Sequence, residues 1–452
     1  MSNLATLQAR LEIFRDAGQY LRMDPLITEK DLDRLGVPYE TEVIDELEQL
    51  IEDIPAPGNK FILTGHTGCG KSTLLAGLGL RLTEKGDYFV VRYSISDTIE
   101  RSAVDHVNIL FSMALELIET AEKHSIQLPK GTKREFYQWL GKHTQTETED
   151  ILNEIELGTK TTGKLGIPLL LEFIANVKSK LRVSSVIRQE ISTEFARRTS
   201  DLVAQIDQLQ SHIENATGKK VLVIIDDLDK LELSTTEIIF SQNIQSLIDP
   251  NLAIIYTLPI ATLREVTIKN SITRYINQIH TMRVAKFYKK ENVRKVDRVP
   301  DPLCIDVFTK ILQLRLPLDS TDPNIELQMI LFSGGVLREL IRIADRCCNK
   351  VKLKLRGQIK RQEWNEPEAK IDQQTLNEVI TDLRLERSEV LGRVDFDMLL
   401  AIYKNFQPQD TENQRFLDLL HGLYILEYRN AKLWYDLNPI VRDLLIEEGL
   451  LP

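Results

Sequence analysis

The chain is short of the residues that mark several common classes of protein. Only four cysteines occur in 452 residues, Cys69, Cys304, Cys347 and Cys348, and no two of them form a C-x-x-C pair. That spacing argues against a zinc site and a disulfide framework. No apolar run approaches the ~20 residues that span a bilayer, so no membrane association is expected. The opening stretch, Met1 to Arg10, has neither the basic nor the apolar region of a secretory signal. With a free thiol at Cys69, this gives the expectation of a cytoplasmic protein. Excess positive charge is missing too. A net charge of −10 argues against a globally basic nucleic-acid binder and leaves local patches open. The length corresponds to about three domains.

What is present is a phosphate loop. Phe61-Ile-Leu-Thr-Gly-His-Thr-Gly-Cys-Gly-Lys-Ser-Thr73 contains G-x-x-x-x-G-K-S from Gly65 to Ser72, after a short apolar strand and before a helix-forming run. The glycines permit backbone angles closed to other residues, and the N–H groups at a helix start favour an anion. The motif implies a nucleoside triphosphate, ATP with Mg²⁺, surrounded by Gly65, His66, Thr67, Gly68, Cys69, Gly70, Lys71, Ser72 and Thr73. Lys71 would face the β- and γ-phosphates, and Ser72 would ligate the metal. A second run, Val221-Leu-Val-Ile-Ile-Asp-Asp-Leu-Asp-Lys230, is apolar on both faces and ends in acids. It reads as a central parallel strand whose carboxylates emerge at the ligand-binding edge. Asp226 is the expected metal ligand and Asp227 the residue that polarises water.

Further strands are expected at Tyr88–Ser96, Leu252–Pro259 and Met282–Phe287, with one helix over Thr235–Ile248. Alternation of strands and helices implies a parallel sheet wrapped on both faces. Thr257, near a strand end, is either a sensor of the γ-phosphate or a structural threonine. The segment Ser333-Gly-Gly-Val-Leu-Arg-Glu-Leu-Ile-Arg-Ile-Ala344 makes the likeness specific. The sequence resembles AAA+ ATPases of the origin-recognition and STAND type, and its Ile-Asp-Asp-Leu-Asp-Lys resembles the Walker B of KAP-type NTPases. The resemblance implies a lid whose sensor 2 arginine is Arg338. It also implies an adenine-contacting segment at Leu35–Glu40, with Pro38 and Tyr39, and an arginine finger at Arg274, with Arg264 as rival. The acidic pair is Asp-Asp where many AAA+ proteins carry Asp-Glu, a departure that bears on the base.

Residues 100–215 form a long insertion, expected to be helical over Ala103–Lys123, Lys133–Gly141 and Leu181–Ala216, with Thr144–Lys164 a mobile excursion. Ile187, Ile191, Phe195, Leu202, Ile206, Leu209 and Ile213 make an apolar stripe that packs either on its own domain or on a partner helix. The C-terminal part reads as two helices, a hairpin around Asn430-Ala431 and a closing helix. This outline resembles a winged helix. Its seven Lys/Arg against twelve Asp/Glu over 386–452 favour a protein contact over DNA, with Trp434 and Tyr435 as an exposed anchor or Trp434 in the core. Basic runs at Arg283–Arg298 and Arg346–Arg361 are solvated faces or a nucleic-acid or subunit surface.

The expected fold is α/β: a parallel-sheet P-loop core with a helical insertion, a helical lid and a C-terminal winged-helix-like domain. The expected divisions are 1–34, 35–300, 301–385 and 386–452. The expected function is a Mg-dependent ATPase acting as a conformational or assembly switch, suggested by resemblance to belong to prokaryotic defence or regulation. Its expected partners are further copies of the chain, a separate effector protein, or both. The alternatives are a nucleotide-dependent scaffold with little turnover and a DNA-bound loader or regulator.

Overall fold

The apolar run that ends in acids is the buried middle of a sheet. In the computed structural model, which describes residues 3–54, 59–157, 166–276, 278–362, 370–430 and 432–451, five strands form before residue 283. They are β1 (Lys60–Gly65), β2 (Tyr88–Ser94), β3 (Lys220–Asp226), β4 (Ala253–Pro259) and β5 (Gln278–Met282), in the order β2-β3-β4-β1-β5. β3 pairs in parallel with β2, Ser94 opposite Asp226, and with β4. Val221 to Ile225 are all buried, as a strand covered on both faces must be. The fifth strand differs from expectation. It ends at Met282, where it was expected to begin, because Val284, Ala285 and Phe287 are buried in other cores.

The chain divides into two compact units, one of them discontinuous in sequence. The first comprises Met1–Thr41, Gly65–Leu74 and Met282–Pro452; the second comprises Glu42–Thr64 and Leu75–Thr281.

The second unit holds the sheet and the insertion. The insertion folds around the helix His106–Lys123, which is buried almost all round and includes Ile109, Leu110, Met113 and Leu117 in the same core as β2 and β3. Its buried Glu116 is held by Lys178 at 2.6 Å and by the Thr98 hydroxyl at 3.0 Å. The apolar stripe from Ile187 to Ile213 packs on its own domain, since all seven residues join that core. One long helix over Leu181–Ala216 is not observed. The chain breaks into Gly166–Val183, Ser185–Phe195 and Thr199–Thr217, with Ser184 capping the middle one through the Ile187 N–H. The described part of Thr144–Lys164 is also more ordered than expected. Glu149–Leu157 is helical and buries Ile151 and Ile155; residues 158–165 lie outside the described residues. Likewise Thr235–Ile248 is interrupted, with a π-helical turn over Ile238–Gln242 between two short α segments.

In the first unit the N-terminal helix Asn3–Tyr20 lays Leu7, Leu11 and Phe14 against the long helix Leu337–Arg361, whose Leu340, Ile343, Cys347 and Val351 share the core. The start of the basic run within that long helix is ion-paired to the helix that follows, Gln373–Ser388. Arg346 pairs with Glu386 at 2.6 Å and Lys350 with Asp382 at 2.9 Å. The C-terminal part consists of helices Arg393–Asn405 and Gln414–His421, an antiparallel hairpin of β6 (Ile425–Asn430) and β7 (Lys432–Leu437), and the helix Pro439–Glu447. The residue expected at the hairpin tip, Ala431, lies outside the described residues. Trp434 and Tyr435 are not an exposed anchor. Alternate residues point to opposite faces and both faces of β7 are covered: Trp434 stacks on Tyr428, and Tyr435 meets Phe416 edge-on. All four cysteines are free, and no helix among the described residues is long and apolar enough to cross a membrane.

Candidate functional site

The phosphate loop is the turn between β1 and the helix Lys71–Lys85. Its three glycines all take positive φ: Gly65 at 155°, Gly68 at 82° and Gly70 at 110°. Two of them also need to be glycine for space. A Cβ on Gly68 would lie 2.5 Å from Arg338 Cβ, and one on Gly65 would lie 2.6 Å from Met282 O. Lys71 is buried, and its ammonium donates to the carbonyls of Gly65 and His66, each at 2.9 Å. The first turn of its helix presents backbone N–H groups that have no acceptor inside the helix, which is the arrangement that binds phosphate. The chemistry of this loop fits the phosphates of a nucleotide. Thr73 is tied from outside, its hydroxyl accepting from the Leu26 N–H at 3.1 Å.

Two distant parts of the first unit close on the loop. The Arg338 N–H, in the first turn of the helix Leu337–Arg361, donates to Gly68 O at 3.0 Å. That turn is shaped by Gly334 and Gly335, both at positive φ. From the hairpin, the Glu427 N–H donates to His66 Nε2 at 2.8 Å, so the imidazole proton sits on Nδ1. Glu427 is in turn held by Arg429 at 2.8 Å. Tyr39, from the segment expected to touch adenine, donates its hydroxyl to Arg283 O at 2.9 Å and packs edge-on against Phe308. Burial, with smaller contributions from Glu40 and Cys69, pushes its phenol well above the usual tyrosine range. Pro38 beside it is exposed.

The second unit carries the acids. Asp226, Asp227 and Asp229 bring carboxylate oxygens within 4.8 Å of one another, a cluster of hard oxygen donors that fits a divalent cation such as Mg²⁺. Asp226 ends β3, and one of its oxygens accepts from the Asp227 N–H at 2.8 Å. Asp227 has left-handed backbone, φ 69°, and both its carboxylate oxygens are engaged, one by the Lys230 ammonium and the other by the Ser94 hydroxyl at 2.8 Å. Burial pushes its carboxyl up, but Lys230, Ser94 and the charge of Arg101 outweigh it and hold Asp227 below the usual carboxylate range. Thr257 is fully buried. Its hydroxyl accepts from the Leu228 N–H at 3.0 Å and donates to Ile225 O at 3.3 Å, so it pins the acidic turn to the strand. Arg274 is exposed near the end of the helix Val266–Tyr275, and Arg264 is half-buried.

The first unit therefore gathers Gly65–Thr73 with Arg338, and the second gathers Asp226 and Asp227 with Thr257. Ser72 and Asp226, the expected metal pair, belong to different units. Sequence reasoning missed four partners. Ser94 carried a signal only through register, since it faces Asp226 across the β2–β3 ladder. Lys230 stood three residues after Asp227. Met282 and Glu427 carried none.

Residues 40–255, just under half of the chain, match the KAP family P-loop domain. No curated protein matches the chain significantly. Among solved structures, the chain is similar to a Walker-type ATPase of Pyrococcus abyssi at 13% identity and a TM-score of 0.44, over 94% of this chain and 99% of that one. It is similar to Cdc6p of Pyrobaculum aerophilum at 12% and 0.40, over 95% and 98%. For the ORC2 protein of Aeropyrum pernix the values are 11% and 0.41, over 95% and 98%.

Proposed function

We propose that this chain is a P-loop NTPase of the AAA+-like class with the activity of a Mg-dependent ATPase whose cycle switches its conformation or assembly. One observation carries the switch. The loop that would take the phosphates is hydrogen-bonded on one side to the long helix through Arg338 and on the other to the hairpin through His66. Any shift of the loop on gaining or losing phosphate is therefore felt in both elements.

The chain's residues divide the work as follows. The loop N–H groups and Lys71 hold the phosphates and offset the negative charge that builds on them during transfer. Asp226 is a residue that would hold Mg²⁺, which when bound would supply further neutralisation of phosphate charge. Asp227, kept ionised, orients the attacking water. Arg338 reports loss of the γ-phosphate to the long helix. In this reading the chain works in the cytoplasm with further copies of itself or a separate effector, in prokaryotic defence or regulation.

Hydrogen exchange in the hairpin, residues 424–437, tests the switch. In the wild-type protein exchange there should differ between apo, ATP-bound and ADP-bound states. His66→Leu should remove the difference while still binding an ATP analogue, and His66→Gln, whose amide oxygen can accept the Glu427 N–H, should restore part of it. Exchange insensitive to nucleotide in the wild-type protein would sink the proposal. The acids separate by their own test. Asp226→Asn should weaken the Mg²⁺ dependence of turnover, while Asp227→Asn should keep ATP binding and stop hydrolysis. Normal turnover in the Asp227 variant would move the water-orienting role to Asp229.

A second reading, a nucleotide-bound scaffold with little turnover, draws on the engagement of both Asp227 oxygens by Lys230 and Ser94. Steady-state turnover well below one per minute in the presence of Mg²⁺, with tight ATP binding, would favour it.

A further inference from the structure

Beside the Gly334–Gly335 turn, within the first unit, lies a cavity of about 330 Å³. Small-molecule sites begin at ~300 Å³. Its apolar wall includes Phe332, Tyr428 and Trp434. Its charged lining is uneven. The two acids are already neutralised: Asp436 takes both terminal nitrogens of Arg294, and Asp443 is 3.1 Å from Arg384. None of the three lining cations, Lys286, Arg298 and Arg442, has an ion pair among the described residues, and Arg298 donates to Val293 O. Lys286 has no carboxylate within ion-pair distance among the described residues, and its ammonium lies 5.9 Å from the Trp434 ring centre. Arg442 likewise has no ion pair there, and its guanidinium carbon lies 5.8 Å from the Tyr403 ring centre. Cations that line a cavity without a carboxylate partner favour an anion there.

We infer that this cavity binds a small aromatic anion: a flat apolar ring set against Tyr428 and Trp434, with its carboxylate, sulfonate or phosphate between Lys286 and Arg442. The cavity also touches the nucleotide machinery. Gly334 forms part of its wall and accepts a hydrogen bond from the Tyr428 hydroxyl at 3.0 Å. Four residues on, the Arg338 N–H holds Gly68 O of the phosphate loop. An occupant that shifts the turn shifts this contact, so occupancy and nucleotide affinity are coupled, by the same factor in both directions. The coupling rests on the nucleotide reading above; the site itself does not.

The test uses the full chain and two fluorescent probes of similar ring size, the anion 8-anilinonaphthalene-1-sulfonate and the neutral N-phenyl-1-naphthylamine. The sulfonate should bind saturably at one per chain and more tightly than the neutral probe. The double variant Lys286→Gln/Arg442→Gln should weaken the sulfonate by about tenfold or more and leave the neutral probe unchanged. Ile446→Trp, a substitution at a partly exposed lining position, should fill the cavity and exclude both probes, and a thermal melt of each variant checks that it is folded. Equal binding of the two probes, or an unaltered sulfonate affinity in the folded double variant, overturns the site. Full competitive displacement by an ATP analogue also overturns it, because the probe then occupies the nucleotide site. A change in sulfonate affinity at saturating ATP analogue, matched by an equal change in nucleotide affinity with the probe bound, supports the coupling. No change in either removes the coupling and leaves the site standing.

Discussion

Replacing Lys71 with alanine should abolish nucleotide binding and leave the protein folded. The ammonium is buried and donates to two loop carbonyls, Gly65 O and His66 O, at 2.9 Å each. It is thereby held at the loop, ready to exchange those acceptors for phosphate oxygens. Hydrogen bonds from a charged donor contribute about 1.5–3 kcal/mol each, so losing two phosphate contacts lowers affinity by about two to four powers of ten. Alanine is the best helix former and sits at the first residue of Lys71–Lys85, so the helix loses nothing in propensity. A fluorescent ATP analogue titrated into both proteins measures the first half, and a thermal melt measures the second. Unchanged affinity in a folded variant would refute the phosphate-loop assignment.

Gly335→Ala should be among the most damaging single changes in the first unit. Its φ is 86°, and an added Cβ would lie 1.9 Å from Ala285 O, 2.8 Å from Ala285 C and 3.0 Å from Ala285 N. These are backbone atoms that cannot rotate away, and the Ala285 N–H also donates to Gly335 O at 3.2 Å. The clash adds to the ordinary cost of left-handed backbone, about 1–2 kcal/mol for a residue with a Cβ. The total should exceed about 4 kcal/mol, the range kept for disrupted backbone and buried packing. Gly86 provides the control. Its φ is 89°, but nothing stands within 4 Å of an added Cβ, so Gly86→Ala should cost only the conformational part. Urea unfolding of both variants gives the comparison. Equal midpoints would show that the turn relaxes and that its tight approach to Ala285 carries no energy.

The elements that could be read from sequence were those whose cause is local. Val221–Asp226 declares a buried strand by its own composition, and Gly65–Ser72 declares its turn by glycine spacing. The apolar stripe from Ile187 to Ile213 is also local, but it stays in phase across the break at Ala196–Arg198, so periodicity alone reads one helix from Leu181 where Ser184 and Ala196–Arg198 divide three. β5 hid for the opposite reason. Gln278-Ile-His-Thr-Met282 is weakly apolar, while the more strand-like Val284–Phe287 that follows spends its side chains in other cores and pairs Ala285 with Gly335. Charge counting over the last 67 residues could not show that both faces of β7 are covered. The His66–Glu427 bond joins residues 361 apart, and nothing local announces it. In the candidate site, the loop and the acids were legible as motifs, whereas the groups that hold them in place were not.

The division of the chain has a consequence for the order in which the protein matures during synthesis. By its contacts the phosphate loop, Gly65–Leu74, groups with the first 41 residues and with everything after residue 281. The second unit ends at Thr281, one residue before the end of β5, so a ribosome that has released that much chain has supplied all of that unit. The loop must wait for Arg338 and then for Glu427. Domains fold largely as they emerge, and contacts across long sequence separation form late. A nascent chain that has released residues up to about 300 from the ribosome should therefore carry a protease-resistant sheet domain but an unfinished phosphate loop. Competence to hold nucleotide in its final form would be acquired only when the C-terminal hairpin leaves the ribosome, a built-in delay between making the core and arming it.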